Sequence, residues 1–150
     1  MQKRLWQEKG FCSGCRACVI ACKDAHDSIV GVNFRRVSES VSGGFIKCGS
    51  GFINDVKVLY ESESCHHCAL CAAACPSGAI KKDAGFGAVY IKEEICTGCR
   101  RCESVCKIGA LQFNAVKRKM EKCDMCRARL KEGLEPVCVA ACPLKILHCE

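Results

Sequence analysis

Apolar residues in this chain come in short bursts, and no window approaches the roughly 18 consecutive apolar residues of a membrane span. Residues 55–61, DVKVLYE, alternate apolar and polar as a strand does. Residues 79–94, AIKKDAGFGAVYIKEE, predict a hairpin: a short strand, a loop around Gly85–Gly87, then AVYI. Residues 109–123, GALQFNAVKRKMEKC, predict a second hairpin of the same kind. Ala17 to Asp24 reads as a short helix, and Asp124 to Glu132 has helical composition with Gly133 as its stop. Ser42-Gly43-Gly44 and Cys48-Gly49-Ser50-Gly51 are turn signals. Short hairpins and short helices in 150 residues give one domain's worth of α+β structure.

Cysteine supplies what a large apolar core would otherwise supply, with 18 in the chain. Cys65, Cys68, Cys71 and Cys75 fall at C-x2-C-x2-C-x3-C spacing, followed by Pro76, and Cys96, Cys99, Cys102 and Cys106 repeat it without the proline. Cys12, Cys15, Cys18 and Cys22 make a third such run. This is the bacterial ferredoxin spacing, in which three cysteines hold one [4Fe-4S] cubane and the fourth reaches across to another. Each iron takes one soft thiolate, and three can come from one tight loop. The two central runs are each followed by Gly-Ala and an apolar residue, and predict two clusters that share ligands. A last set, Cys123, Cys126, Cys138 and Cys142, is stretched to C-x2-C-x11-C-x3-C and followed by Pro143. Alone it also suits a four-cysteine zinc site, but beside three ferredoxin runs the cubane is the better reading.

So much cysteine in a secreted chain would mean a disulfide scaffold. The N-terminus, MQKRLWQEKGFCSGC, has neither an apolar h-region nor a small-residue cleavage site, which favours a reducing, cytoplasmic location and metal ligation. The formal charge of +7 suggests nucleic acid only until the clusters are counted. An oxidised cubane with four thiolates carries about −2, so four of them bring the total to about −1. Many basic residues stand beside cysteines, as in Cys15-Arg16, Cys22-Lys23, Arg100-Arg101 and Cys106-Lys107, where they compensate cluster charge. Neither nucleic-acid binding nor membrane insertion is expected.

Among the remaining residues, Trp6 reads as a packing residue, His26 as an ordinary surface or interface histidine, Cys48 as a free buried thiol and Cys149 as surplus and free. His66 and His67 sit between ligands whose set is complete without them; shielding a cluster or tuning it by hydrogen bonding is the lesser reading for them. The Arg35-Arg36 segment and the arm from Arg127 to Glu135 are candidate docking surface. There is no glycine-rich dinucleotide fingerprint, no nucleophile with a base, and no cluster run lacking a cysteine, so no catalytic constellation is present.

The order of the four runs resembles the iron–sulfur subunit family of dimethyl sulfoxide reductase-type molybdenum- or tungsten-pterin oxidoreductases. CSGCRACVIACKD, NFRRVSES with GGF, SCHHC with CPSGAI, CTGCRRCESVC and KCDMC with CVAACPLKIL carry the likeness, and the stretched fourth run is its most specific part. Lys107 stands where the family has proline, and the C-terminal extension with which larger members meet a membrane anchor is absent. The compact form is similar to the small subunits of tungsten aldehyde oxidoreductase-type enzymes.

The resemblance implies four [4Fe-4S] clusters: one on Cys65, Cys68, Cys71 and Cys106, and one on Cys96, Cys99, Cys102 and Cys75. A third falls on Cys12, Cys15, Cys18 and Cys142, and the fourth on Cys123, Cys126, Cys138 and Cys22. It also implies two ferredoxin-like units related by pseudo-twofold symmetry within a single polyferredoxin domain. One is continuous, residues 65–122; the other is split around it, residues 1–64 with 123–150. The expected role is a non-catalytic electron relay between a large molybdenum- or tungsten-pterin subunit and a second redox partner, which would be a ferredoxin, a flavoprotein or another iron–sulfur subunit. A free-standing polyferredoxin shuttle, a filament-forming conduit and a zinc-binding module are the competing readings.

Overall fold

A computed structural model describes residues 2–150. Its secondary structure consists of two-stranded antiparallel ribbons and short helices, with cysteine-bearing loops between them. The helices are α1 (Ala17–Ala25), α2 (Leu70–Ala73), α3 (Arg101–Ser104), α4 (Arg127–Lys131) and α5 (Val137–Ala140). Four of them begin directly after a residue in the left-handed region: Arg16, Ala69, Arg100 and Cys126, with φ of 60°, 67°, 61° and 51°. A left-handed residue cannot belong to a right-handed helix, so each helix starts where the preceding cysteine loop ends.

The same constraint makes α4 shorter than its composition suggests. Met125 also has a positive φ, of 64°, and the Asp124 carboxylate accepts the amide of Cys126 at 2.8 Å. That Asx turn occupies residues the composition would give to the helix. Gly133, at φ 76°, closes α4, with its amide on Leu130 O at 3.2 Å and that of Leu134 on Arg129 O at 2.9 Å.

Strands β1 (Leu5–Gln7) and β10 (Leu147–Cys149) pair, with Leu5 opposite Cys149 and Trp6 opposite His148. The ribbon continues through Glu8 N to Ile146 O at 2.9 Å and Glu150 N to Arg4 O at 3.1 Å, so the two ends of the described chain are zipped together. Strands β6 (Ile80–Lys82) with β7 (Val89–Ile91), and β8 (Gln112–Asn114) with β9 (Lys119–Glu121), are the two hairpins legible from sequence. Strands β2 (Arg35–Ser42) and β5 (Lys57–Ser64) form the longest ribbon, continued by β3 (Phe45–Cys48) and β4 (Gly51–Asn54). A Cβ on Gly43 would lie 2.1 Å from Asp55 O, so only glycine fits where the ribbon passes from one pair to the next.

The outer part of this ribbon stands clear of the body, with Phe45, Ile46, Phe52 and Ile53 exposed. Cys48 is exposed there too, at the turn, which corrects the expectation of a buried thiol. Trp6 is only partly a packing residue: it stacks on His148 with ring centroids 4.4 Å apart, yet 38% of it stays accessible. Apolar burial is divided into small patches in which cysteine is a principal component. Helices α1 and α5, from opposite ends of the chain, pack on each other.

Candidate metal centres

Each cysteine run is shaped by a backbone pattern. The second residue between the first two cysteines has positive φ in every run: Gly14 at 70°, His67 at 53°, Gly98 at 68° and Met125 at 64°. This conformation turns amides inward onto sulfur. His67 N lies 3.3 Å from Cys65 Sγ and Met125 N 3.3 Å from Cys123 Sγ; after the third run, beyond the left-handed Gly109, Ala110 N lies 3.2 Å from Cys106 Sγ. A non-glycine residue in this region costs about 1–2 kcal/mol. That so many occur here marks loops held in shape for ligation rather than for packing.

The fold gathers the sixteen cysteines of the four runs into sets. Cys65, Cys68, Cys71 and Cys106 line one cavity of about 290 Å³, walled by His67, Val89, Ile108 and Leu111. Cys75, Cys96, Cys99 and Cys102 line a second, smaller cleft with Ile80 and Met120. Cys12, Cys15, Cys18 and Cys142 line a third with Val37, Ile146 and Leu147. Cys22, Cys123, Cys126 and Cys138 are all buried, and Cys138 lies within electrostatic reach of each of the other three.

Adjacent sets touch. Cys18 and Cys138 share one buried patch, Cys65 and Cys123 another, and Cys71 and Cys102 a third. The four sets therefore stand in a row, from the Cys12 set through the Cys123 set and the Cys65 set to the Cys96 set.

The electrostatics fit an anionic metal cluster. Burial, reinforced by neighbouring thiols, pushes Cys22 up to about 12, and burial raises Cys102 and Cys126 to about 11. Burial raises Cys123 as well, opposed by the charge of Lys122. Such thiols give up their protons only to a metal that takes the sulfur's charge. Lys122, 5% accessible, donates to the carbonyls of Val89 and Cys123, and among the described residues no carboxylate pairs with it. Arg35, 3% accessible, donates to Ser62 Oγ at 2.7 Å and Ser64 Oγ at 3.1 Å. A buried cation needs a counter-charge, and a cubane with four thiolates supplies it.

Several side chains do other work than their sequence context suggests. Arg35 lies inside, where its charge opposes the burial that raises Cys18 and Cys22, so only Arg36 of the pair reaches the surface, bonding the carbonyls of Ile108 and Gly109. Arg127 is likewise structural, its guanidinium 3.5 Å above the Tyr90 ring and 3.1 Å from Asp83. His26 is not an ordinary surface residue: its Nε2 lies 3.5 Å from Cys126 Sγ and 3.8 Å from Asp124. Cys149, half-buried on β10, and the exposed Cys48 belong to none of the four sets. No periodicity reports which of two adjacent arginines turns inward, and the His26 contact spans a hundred residues, so neither had a local signal.

Two family models, each described as a 4Fe-4S dicluster domain, match residues 56–150 and 11–79. The chain is similar to the B subunit of the anaerobic dimethyl sulfoxide reductase of Haemophilus influenzae, 45% identical over 139 residues, covering 91% of this chain and 67% of that protein. The Escherichia coli K12 protein of the same name is 42% identical over the same length, with the same coverage. Protein NrfC of Escherichia coli K12 is 34% identical over 143 residues, 93% of this chain and 61% of its own.

Proposed function

The chain belongs to the 4Fe-4S dicluster family, among the iron–sulfur electron-transfer subunits of dimethyl sulfoxide reductase-type molybdoenzymes, and carries four [4Fe-4S] clusters without a catalytic site of its own; from this we propose that it relays single electrons along the row of clusters to or from a pterin-bearing molybdenum or tungsten subunit. The observation that carries this reading is the linear order of the four cysteine sets, each sharing a buried patch with the next. A relay needs neighbouring carriers in contact and a carrier at each end; the terminal sets keep an exposed cysteine, Cys15 and Cys99, as the inner Cys65 set does in Cys68.

In this reading the ligand sets are Cys12, Cys15, Cys18 and Cys142; Cys123, Cys126, Cys138 and Cys22; Cys65, Cys68, Cys71 and Cys106; and Cys96, Cys99, Cys102 and Cys75. Bound there, the clusters supply one-electron redox chemistry. The protein holds the thiolates, excludes water and sets the local charge. Pairing of β1 with β10 and packing of α1 on α5 support the division into a continuous unit, residues 65–122, and a unit split between 1–64 and 123–150, related by a pseudo-twofold axis. The partners are a large pterin subunit, of the tungsten aldehyde oxidoreductase type, and a second redox protein. Among the described residues no helix is long and apolar enough to cross a membrane, and we place the complex in the cytoplasm.

Iron, sulfide, zinc, molybdenum and tungsten content of the anaerobically purified complex tests the reading. About sixteen irons and sixteen sulfides per chain, with tungsten in a co-purifying large chain, is the expected result. About twelve irons with one zinc, in the stretched run, would break the row between the Cys12 and Cys65 sets, and zinc without sulfide would end the relay altogether. Molybdenum in place of tungsten would keep the relay and change the partner's class.

A further inference from the structure

Position for position, the four runs offer an internal comparison. The left-handed residue between the first two cysteines is glycine in two runs, Gly14 and Gly98, as the backbone prefers. In the other two it is a large buried side chain, His67 and Met125, accepted against the cost of that conformation. Methionine at 125 packs with Ala88 and Leu130 and is explained by burial. Histidine at 67 is not explained by packing alone, because its ring carries a polar atom that the protein leaves unmatched.

His67 is 6% accessible and lines the cavity bounded by Cys65, Cys68, Cys71 and Cys106. The Val89 amide donates to its Nδ1 at 2.9 Å. A neutral ring that accepts at Nδ1 bears its proton on Nε2. Because Nδ1 accepts that amide it carries no proton itself, so the hydrogen bond fixes the tautomer. Nε2 is buried with no hydrogen-bond partner in the protein. Leaving a buried N–H unmatched is costly enough that native structures rarely do it without a ligand or water to receive it.

We propose that His67 Nε2–H donates to a sulfur of the cluster held by Cys65, Cys68, Cys71 and Cys106, and thereby raises the reduction potential of that cluster alone. The proposal rests on the ligand set given above. A donor favours the more negative, reduced state of the cluster, which is one of the levers by which a protein sets such potentials. His67 is thus a tuning residue, acting on the cluster's energy and not on any substrate. His66, its exposed neighbour, also borders the cavity, but its ring is open to solvent and not buried as that of His67 is.

The test is an EPR-monitored redox titration of the loaded chain with four substitutions. His67→Met places at this position the side chain found at the equivalent site of the last run, buried and without a donor. His67→Gly reproduces the first and third runs and relieves the backbone, so it loads clusters even if His67→Met folds poorly. His66→Met is the control. In both His67 variants one of four potentials is expected to fall, changing the oxidised-to-reduced ratio of that cluster about tenfold at fixed potential, or about 59 mV for a one-electron couple. His67→Asn, which tolerates the left-handed backbone and carries an amide donor, restores part of the shift.

Unchanged potentials in His67→Gly with iron content intact would overturn the proposal, as would an equal shift in all four clusters. Pulsed EPR with 15N-labelled histidine, in which His26 beside Cys126 contributes its own coupling, should show in wild type a further imidazole nitrogen that His67→Gly lacks, and a spectrum identical in the two proteins would also overturn it. Wild-type protein with far fewer than about sixteen irons per chain would instead remove the four-cubane reading beneath it.

Discussion

Lys122 and Arg35 are the two buried cations, and both sit among cysteine sulfurs with no carboxylate to balance them. A charge in this setting favours the reduced, more negative state of a neighbouring cluster. Lys122 acts on Cys71 and Cys123, which belong to adjacent sets, so Lys122→Met should lower two potentials together where a His67 substitution lowers one. The expected change is about 1–3 kcal/mol in reduction free energy. A redox titration in which Lys122→Arg behaves as wild type and Lys122→Met shifts two clusters would bear this out.

Glycine is as specific at one loop. A Cβ on Gly98, at φ 68°, would lie 2.3 Å from Arg118 O in the β8–β9 turn. Gly98→Ala should therefore destabilise the third run by about 2–4 kcal/mol, from the left-handed penalty and the forced shift of the turn. Iron content and the midpoint of thermal bleaching would report it, and an unchanged midpoint would mean the turn yields freely. Little of this residue-level detail was legible in the chain. The sixteen cysteines announced themselves by spacing, but Arg35 and Arg36 look alike in sequence, and only the fold turns one inward.

Elements divide by how local their cause is. The β6–β7 and β8–β9 hairpins were readable because strand alternation and turn residues lie within sixteen residues or fewer. At the first turn Asp83 accepts the amides of Gly85 and Phe86, and at the second Asn114 accepts those of Val116 and Lys117. Strand β2 was not readable, since RRVSESVS is exposed along most of its length and its alternation has no buried face to mark it. Pairing of β1 with β10 was beyond local reading altogether, being three residues on each side at opposite ends.

Two predictions separate these elements by their contribution. Residues 4 and 150 bond each other, so Trp6 and His148, two residues in, form the next hydrogen-bonded pair. Trp6→Pro removes that donor and the stack on His148, at a cost of about 2–3 kcal/mol, and should lower the temperature at which iron is lost. The outer ribbon should behave oppositely. Replacing residues 44–55 with an Asn-Gly turn removes only exposed side chains of β3 and β4 and should leave iron content unchanged and stability within about 0.5 kcal/mol. Loss of a cluster on shortening would mean that the ribbon braces the body.

On the four-cluster reading, the whole molecule depends on its ligands. Its buried patches are small, and the largest fully buried side chains are few: Met120, Met125, Val89, Asn114 and Pro136. Remove the clusters, and the cysteines that fill these patches become buried thiols around empty space, beside cations whose counter-charge has gone. Both changes oppose folding, the first by lost contacts and the second by uncompensated charge. Anaerobic chelation should therefore unfold the chain and also change its charge, from about −1 loaded to the +7 of the bare sequence. Far-UV circular dichroism should lose its strand and helix signal in step with iron release, and native electrophoresis should show the product migrating as a cation. Retained secondary structure after full iron loss would show that ribbons and hairpins stand without metal. In that case the β1–β10 closure, and not ligation, would be what keeps the first and last runs together.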